Sequence, residues 1–142
     1  LDISPAALEV AGVNARNNGT DVTFIQGDIL SPATHDFPEG LDMIVSNPPY
    51  VAESDREHIR RNVLDYEPHQ ALFAPGADPL VFYRALSTFA MKNLNRGGVM
   101  YMEINEAYPA EIAAMLFSAG LLDPAVREDM SGKPRMIRCC KG

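Results

Sequence analysis

Leu41-Asp42-Met43-Ile44-Val45-Ser46-Asn47-Pro48-Pro49-Tyr50 is the stretch on which the reading of this chain turns. Its first six residues read as a buried strand of a parallel sheet, where apolar runs are the rule. In open α/β folds, ligands bind just past the carboxyl ends of such strands. An Asn followed by two prolines there is costly as plain structure. Neither proline donates a backbone hydrogen bond, and each fixes its own φ. The residue before each proline is driven to an extended conformation. The product is a stiff turn that offers carbonyl acceptors, one amide side chain and one aromatic ring. That set suits a planar group bearing an NH₂. Taken alone, the tetrapeptide also reads as a turn that merely ends a strand.

Outward from this stretch, helix and strand signals alternate. Ser4-Pro5 is an N-cap with proline at the first helical position. Leu8, Ala11 and Ala15 share one face of the helix that follows, and Asn17-Asn18-Gly19 ends it. Val22-Thr23-Phe24-Ile25 predicts a short strand closed by Gly27-Asp28. Beyond Tyr50, residues 54–64 are charged and predict a partly helical stretch, and Glu67-Pro68-His69-Gln70-Ala71-Leu72 reads as loop. Asp78-Pro79 repeats the cap-then-proline signal ahead of a helical stripe of Leu80, Tyr83, Ser87, Ala90 and Leu94. Asn95-Arg96-Gly97-Gly98 stops that helix, and 99–104 predicts a strand. Pro109 opens a helix that buries Ile112, Met115, Leu116 and Ala119, with Gly120 just past its end. Strands at about 124–130 and 135–140 flank Ser131-Gly132-Lys133-Pro134 as a hairpin. The alternation predicts an α/β fold with a mostly parallel sheet covered on both faces and an antiparallel C-terminal hairpin.

Composition narrows the function classes. The 142 residues suffice for one domain. No apolar run approaches the ~20 residues of a membrane span, so no membrane association is expected. The formal charge of −7 makes a poor nonspecific binder of nucleic acid, and sequence-specific binding is not expected either. Cys139 and Cys140 are adjacent, and read as thiols in an apolar strand of a cytoplasmic protein. His35, His58 and His69 lack the spacing of metal ligands, and no metal is expected. Arg56, Arg60 and Arg61 form a basic run that reads as a solvated helix face or as a contact for an RNA-associated partner.

Two acids extend the candidate site. Asp2 reads as the end of a strand just before a helix, where an acid accepts hydrogen bonds from ribose hydroxyls. The helix dipole would favour an acid there in any case. Asp28 follows Gly27 at the next strand tip and could accept from the exocyclic amine of adenine, or simply serve a turn. Asp2, Asp28 and Asn47 at three successive strand ends would line one sheet edge from ribose to adenine to the planar group at the Asn-Pro-Pro-Tyr turn.

With these residues in place, the chain resembles the class I methyltransferases that use S-adenosylmethionine (SAM), and more narrowly the HemK/PrmC family. Strand-then-Asn47-Pro48-Pro49-Tyr50 is similar to that family's catalytic motif. Glu67-Pro68-His69-Gln70-Ala71-Leu72 is similar to its Glu-Pro-x-x-Ala-Leu segment, and Asp78 through Leu86 to the helix that follows it. Gly97-Gly98-Val99 through Glu103-Ile104 resembles its Gly-Gly-x-x-x-x-Glu strand, and Asp129 through Arg135 its late Asp…Gly…Arg hairpin. The resemblance implies a Rossmann-like fold, SAM as cofactor, and methyl transfer to the glutamine side chain in the Gly-Gly-Gln motif of peptide chain release factors. It implies Asn47, Pro48, Pro49 and Tyr50 as catalytic residues. It implies Asp2, Ile3, Asp28, Ile29 and Asn47 as the cofactor site, and Asn47, Pro48, Tyr50 and Glu67 as the substrate site.

The family's glycine-rich loop, which approaches the methionine end of SAM, has no counterpart here, since Gly12, Gly19 and Gly27 lie in other contexts. Residues 1–142 are therefore expected to be part of a catalytic domain whose first strand precedes Leu1. Weak SAM binding by the isolated chain is the expectation, with strand re-pairing, self-association or disorder of the first residues as its structural outcomes. Two rival functions stand beside the main one. A DNA or RNA adenine methyltransferase would set a flipped base against the same motif, and the charge of −7 counts against it. A noncatalytic scaffold that binds a partner would not need an intact Asn47-to-Tyr50 turn.

Overall fold

The computed structural model describes residues 1–31, 37–51, 68–76 and 78–142, with Gln70 described for its backbone alone. The expected helical stretch at 54–64, with its three arginines, lies outside the described residues, as do Glu67, His35 and His58. The chain forms two compact units, Leu1–Asp36 and Phe37–Gly142.

In the first unit, Ser4 and Pro5 start helix α1, Pro5–Asn17, as the cap signal predicts. The Ser4 Oγ accepts from the Ala7 N–H at 3.2 Å, and Gly19 leaves the helix at φ +62. Leu8, Ala11 and Ala15 are half-buried, in keeping with one shared face. The predicted strand at 22–25 does not form. A single parallel bridge, Asp2 to Gln26, takes its place, closed by the Asp2 N–H on the Ile25 carbonyl (3.2 Å) and the Gly27 N–H on the Asp2 carbonyl (3.0 Å). Val22 and Phe24 remain exposed, so their β-propensity finds no packed face to act on.

The second unit holds β1 (Leu41–Ser46), α2 (His69–Leu72), α3 (Val81–Asn93), β2 (Leu94–Glu103), α4 (Pro109–Ser118), β3 (Leu121–Glu128) and β4 (Pro134–Lys141). Its sheet has the order β1-β2-β4-β3. β1 runs parallel to β2, whereas β4 pairs antiparallel with both β2 and β3. Among the described residues the sheet is therefore mixed, with the parallel pairing at β1 and the expected hairpin at the other side.

The period-2 alternation of the strands sorts their side chains. Ile44, Met100, Met102, Ile137 and Cys139 are buried. Tyr83, Leu86 and Ala90 of α3 and Ile112 and Leu116 of α4 complete this core. On the opposite face Met43 and Val45 remain 55% and 72% exposed. The expectation of a strand buried on both faces thus holds for one face of β1.

Helix boundaries differ from the sequence reading where a local bond wins. The Asp78 carboxylate accepts from the Leu80 N–H at 2.9 Å and its carbonyl from the Val81 N–H at 3.3 Å, so Asp78-Pro79 closes a turn and α3 starts at Val81. Leu94, expected on the helical stripe, takes extended dihedrals (φ −69, ψ 145) and opens β2 instead. The expected loop at 67–72 contains the single helical turn α2, because Pro68 fixes φ at −59 and its carbonyl accepts from the Ala71 N–H. α4 matches expectation at its ends, with Pro109 at its start and Gly120 following at φ +95, and it buries Ile112 and Leu116, whereas Met115 is half-buried and Ala119, the C-cap residue, is exposed. Asp129 builds the hairpin turn by accepting from the Ser131 and Lys133 N–H groups at 2.8 and 3.1 Å. Cys139 and Cys140 are free thiols in β4. Among the described residues no helix is long and apolar enough to cross a membrane.

Candidate functional site

Asn47-Pro48-Pro49-Tyr50 begins where β1 stops at Ser46. Asn47 is exposed, and its side-chain amide makes no hydrogen bond among the described residues. Pro48 is buried, and Pro49 and Tyr50 are half-buried. The turn thus has a sunken base and an open amide.

Four hydrogen bonds hold Tyr50 and Val51, the residues just past the two prolines. Val51 bridges Phe73, with the Val51 N–H on the Leu72 carbonyl at 3.1 Å and the Ala74 N–H on the Val51 carbonyl at 3.0 Å. The Tyr50 hydroxyl donates to Glu103 Oε1 at 2.7 Å. The Tyr50 carbonyl accepts from Asn105 Nδ2 at 3.0 Å. β1 and β2 pair in parallel, with Ser46 opposite Met102. Both strands therefore leave the sheet at the same end, and residues just past Met102 can reach residues just past Ser46.

The surroundings bias Tyr50 toward its neutral form. Burial raises its pKa, and the hydrogen bond and negative charge of Glu103 add to the effect, while Arg135 partly offsets them. Partial burial pulls the Arg135 guanidinium down, but Tyr50 and Asp129 outweigh it and hold the group above its usual value. Arg135 also reaches Glu106 at 3.3 Å and Asp129 at 3.4 Å, and Lys133 reaches Glu106 at 2.8 Å. The N–H groups of Lys133 and Ser131 lower the pKa of Asp129. Tyr83, fully buried below, is pushed up to about 12 by desolvation, against the N–H that Asn105 donates to it.

In the first unit, the Asp2–Gln26 bridge sets Asp2 and Asp28 at adjacent chain ends. Asp2 Oδ1 accepts from the Ser4 N–H at 2.8 Å, and Asp28 Oδ1 from the Leu30 N–H at 2.9 Å. The second oxygen of each carboxylate has no partner among the described residues. Ile3 is exposed and Ile29 half-buried beside them. Asn105 had no role in the sequence reading, Arg135 entered it only as part of the hairpin, and Tyr83 only on the helical stripe. Asn105 was findable in principle: it directly follows the strand predicted at 99–104, and ligands bind at the carboxyl ends of strands in such sheets.

The arrangement has counterparts among solved structures. A methyltransferase from Pyrococcus furiosus matches 99% of this chain and 60% of its own with a TM-score of 0.66 at 16% identity. TrmN from Thermus thermophilus matches 99% of this chain and 35% of its own with a TM-score of 0.59 at 19% identity. The fold is that of a Rossmann-like, class I methyltransferase. A family model described as the methyltransferase small domain matches residues 1–96, and the chain belongs to that family. The release factor glutamine methyltransferase of Flavobacterium psychrophilum is 41% identical over 138 residues, which are 97% of this chain and 48% of that protein. The protein of the same name from Bacteroides thetaiotaomicron is also 41% identical, over 96% of this chain and 49% of its own length. The chain spans about half the length of the curated relatives it matches.

Proposed function

We propose that the full-length protein methylates the side-chain amide nitrogen of the glutamine in the Gly-Gly-Gln motif of peptide chain release factors, with SAM as methyl donor. The observation that carries this reading is the open Asn47 amide at the end of β1, without a hydrogen-bond partner among the described residues, next to a Tyr50 anchored at both its hydroxyl and its carbonyl. Relatives named release factor glutamine methyltransferase, 41% identical, support the choice of acceptor. Residues 1–142 would form part of the catalytic domain, and the reaction would belong to the cytoplasm, where release factors act.

The residues present fit the cofactor. Among the described residues Asp2 and Asp28 each keep one carboxylate oxygen unspent, which suits the ribose hydroxyls and the adenine amine respectively. Ile3 and Ile29 would flank the adenosine. Bound SAM supplies a methyl group already activated by its sulfonium. The chain's own task is alignment and electrostatics. An amide nitrogen is a weak nucleophile because its lone pair is delocalised into the carbonyl. The Asn47 side-chain oxygen and the Pro48 carbonyl would each accept one N–H of the substrate amide, orient its nitrogen and favour the positive charge that develops there. The Tyr50 ring would pack on the planar amide. Glu67 would shape the acceptor pocket, by resemblance to the family segment. No strong base is required, since the proton can leave after transfer.

Labelled-methyl transfer tests the reading. Label should enter release factor and fail to enter a release factor whose Gly-Gly-Gln glutamine is replaced. Transfer to DNA with none to release factor would install the adenine methyltransferase in its place.

A further inference from the structure

Tyr50 is gripped at its two polar atoms by residues two positions apart at the end of β2. Glu103 takes the hydroxyl at 2.7 Å, and Asn105 Nδ2 holds the carbonyl at 3.0 Å. The first bond falls within charge-assisted geometry, at the upper edge of the ~2.5–2.7 Å range for a hydroxyl donating to a carboxylate. Asn105 cannot swing away to relax the second. Its Oδ1 accepts from the Ala107 N–H at 2.9 Å, and its own N–H donates to the Tyr83 hydroxyl at 3.1 Å. Tyr83 is in turn fully buried in α3. The clamp therefore runs from the motif into the core.

The phenol hydrogen of Tyr50 is committed to Glu103. What Tyr50 can offer an acceptor is its ring, held at a set angle, and not a proton. A half-buried ring held only by packing keeps torsional freedom, and ordering such a side chain at the moment of binding costs entropy. A ring ordered in advance avoids that cost and keeps the reacting nitrogen in line.

We infer that Glu103 and Asn105 are positioning residues: they fix the Tyr50 ring and backbone so that the end of the Asn-Pro-Pro-Tyr turn is preset for a planar amide. This rests on the acceptor role proposed above for Asn47-to-Tyr50. The other titratable groups facing Tyr50 are Arg135 from β4 and Tyr83 from α3.

A double-mutant cycle in the full-length enzyme tests the clamp. Glu103→Ala should lower kcat about tenfold and leave the KM for SAM within about twofold. Glu103→Gln, which keeps an acceptor oxygen, should lose less. In a Tyr50→Phe background, where the hydroxyl is already gone, Glu103→Ala should cost under about twofold more. An equal loss in both backgrounds, a wild-type rate for Glu103→Ala, or a defect confined to SAM binding would overturn the inference. Where Glu103→Ala fails to fold, the cycle with Glu103→Gln and Tyr50→Phe carries the same decision. A second arm needs no activity. With ring-labelled tyrosine, the Tyr50 signal should titrate at lower pH in Glu103→Gln than in wild type, and an unmoved midpoint overturns the clamp. If the wild type transfers no methyl to any release factor, the proposed function falls, while this titration still decides whether Glu103 holds the ring.

Discussion

The backbone N–H of Asn105 donates to the hydroxyl of Tyr83 over 3.1 Å, tying the residue that holds Tyr50 to a fully buried side chain of α3. Tyr83→Phe keeps the ring and deletes the acceptor. An N–H left without its partner in a part-buried place costs about 1–3 kcal/mol. Urea denaturation should show that loss as a lower midpoint with an unchanged slope. An unchanged midpoint would mean that water replaces the hydroxyl.

The same hydroxyl gives stability a pH dependence. Burial raises its pKa from 10.0 to about 12, so the folded state holds this proton more tightly than the unfolded one. The contribution is complete below the unfolded value near 10 and is lost as pH rises toward 12. The fall should amount to on the order of 2–3 kcal/mol across that window. Tyr50, also raised, adds in the same direction. Urea midpoints at pH 9 and above pH 11 measure the fall, and Tyr83→Phe should remove most of it.

Asn47→Ala should strike turnover rather than cofactor affinity. Losing one oriented partner of the reacting group costs ~2.7–4 kcal/mol, by analogy with removal of an oxyanion-hole donor. In the full-length enzyme kcat should fall about 100- to 1,000-fold, far more than SAM affinity measured by calorimetry. A rate equal to wild type would remove Asn47 from the mechanism.

Asp28→Ala should do the reverse. Its Oδ1 serves the Leu30 N–H, and the other oxygen is the one assigned to adenine. A hydrogen bond to a charged group contributes ~1.5–3 kcal/mol, so SAM affinity should drop about 10- to 100-fold. Calorimetry that finds undiminished affinity would reduce Asp28 to a turn residue.

Gly98→Ala tests the junction of β1 and β2. A Cβ there would lie 2.9 Å from the Asn95 carbonyl oxygen and 3.0 Å from that of Leu41. Both obstacles are backbone and cannot rotate aside. The substitution should destabilise by about 1–3 kcal/mol, as overpacking does, and thermal unfolding would register it. Gly97→Ala, at φ +78 in open space, should cost less and through backbone strain alone.

The parts legible in the sequence are those governed by local chemistry. Ser4-Pro5 announces α1, the run at 41–46 gives β1 to the residue, and Pro109 with Gly120 brackets α4. The errors fall where a distant partner decides. Val22 through Ile25 carries strand propensity but obtains one bridge. Leu94 fits a helical stripe by spacing, yet pairing with Leu41 draws it into β2. The motif at 47–50 was readable because prolines leave a signature in any context. Of its anchors, Glu103 was legible only as the closing acid of a family-like strand and Asn105 not at all, because the parallel register is what brings both beside Tyr50.

That register has a consequence for the order of events during synthesis. The Tyr50 carbonyl waits for an amide 55 residues further along the chain. Arg135, beside the ring, comes later still, and its carbonyl holds the Ile104 N–H that lies between the two anchors. A nascent chain therefore displays Asn47-Pro48-Pro49-Tyr50 long before anything orients it, and a polypeptide interrupted ahead of β4 carries the signature without the geometry.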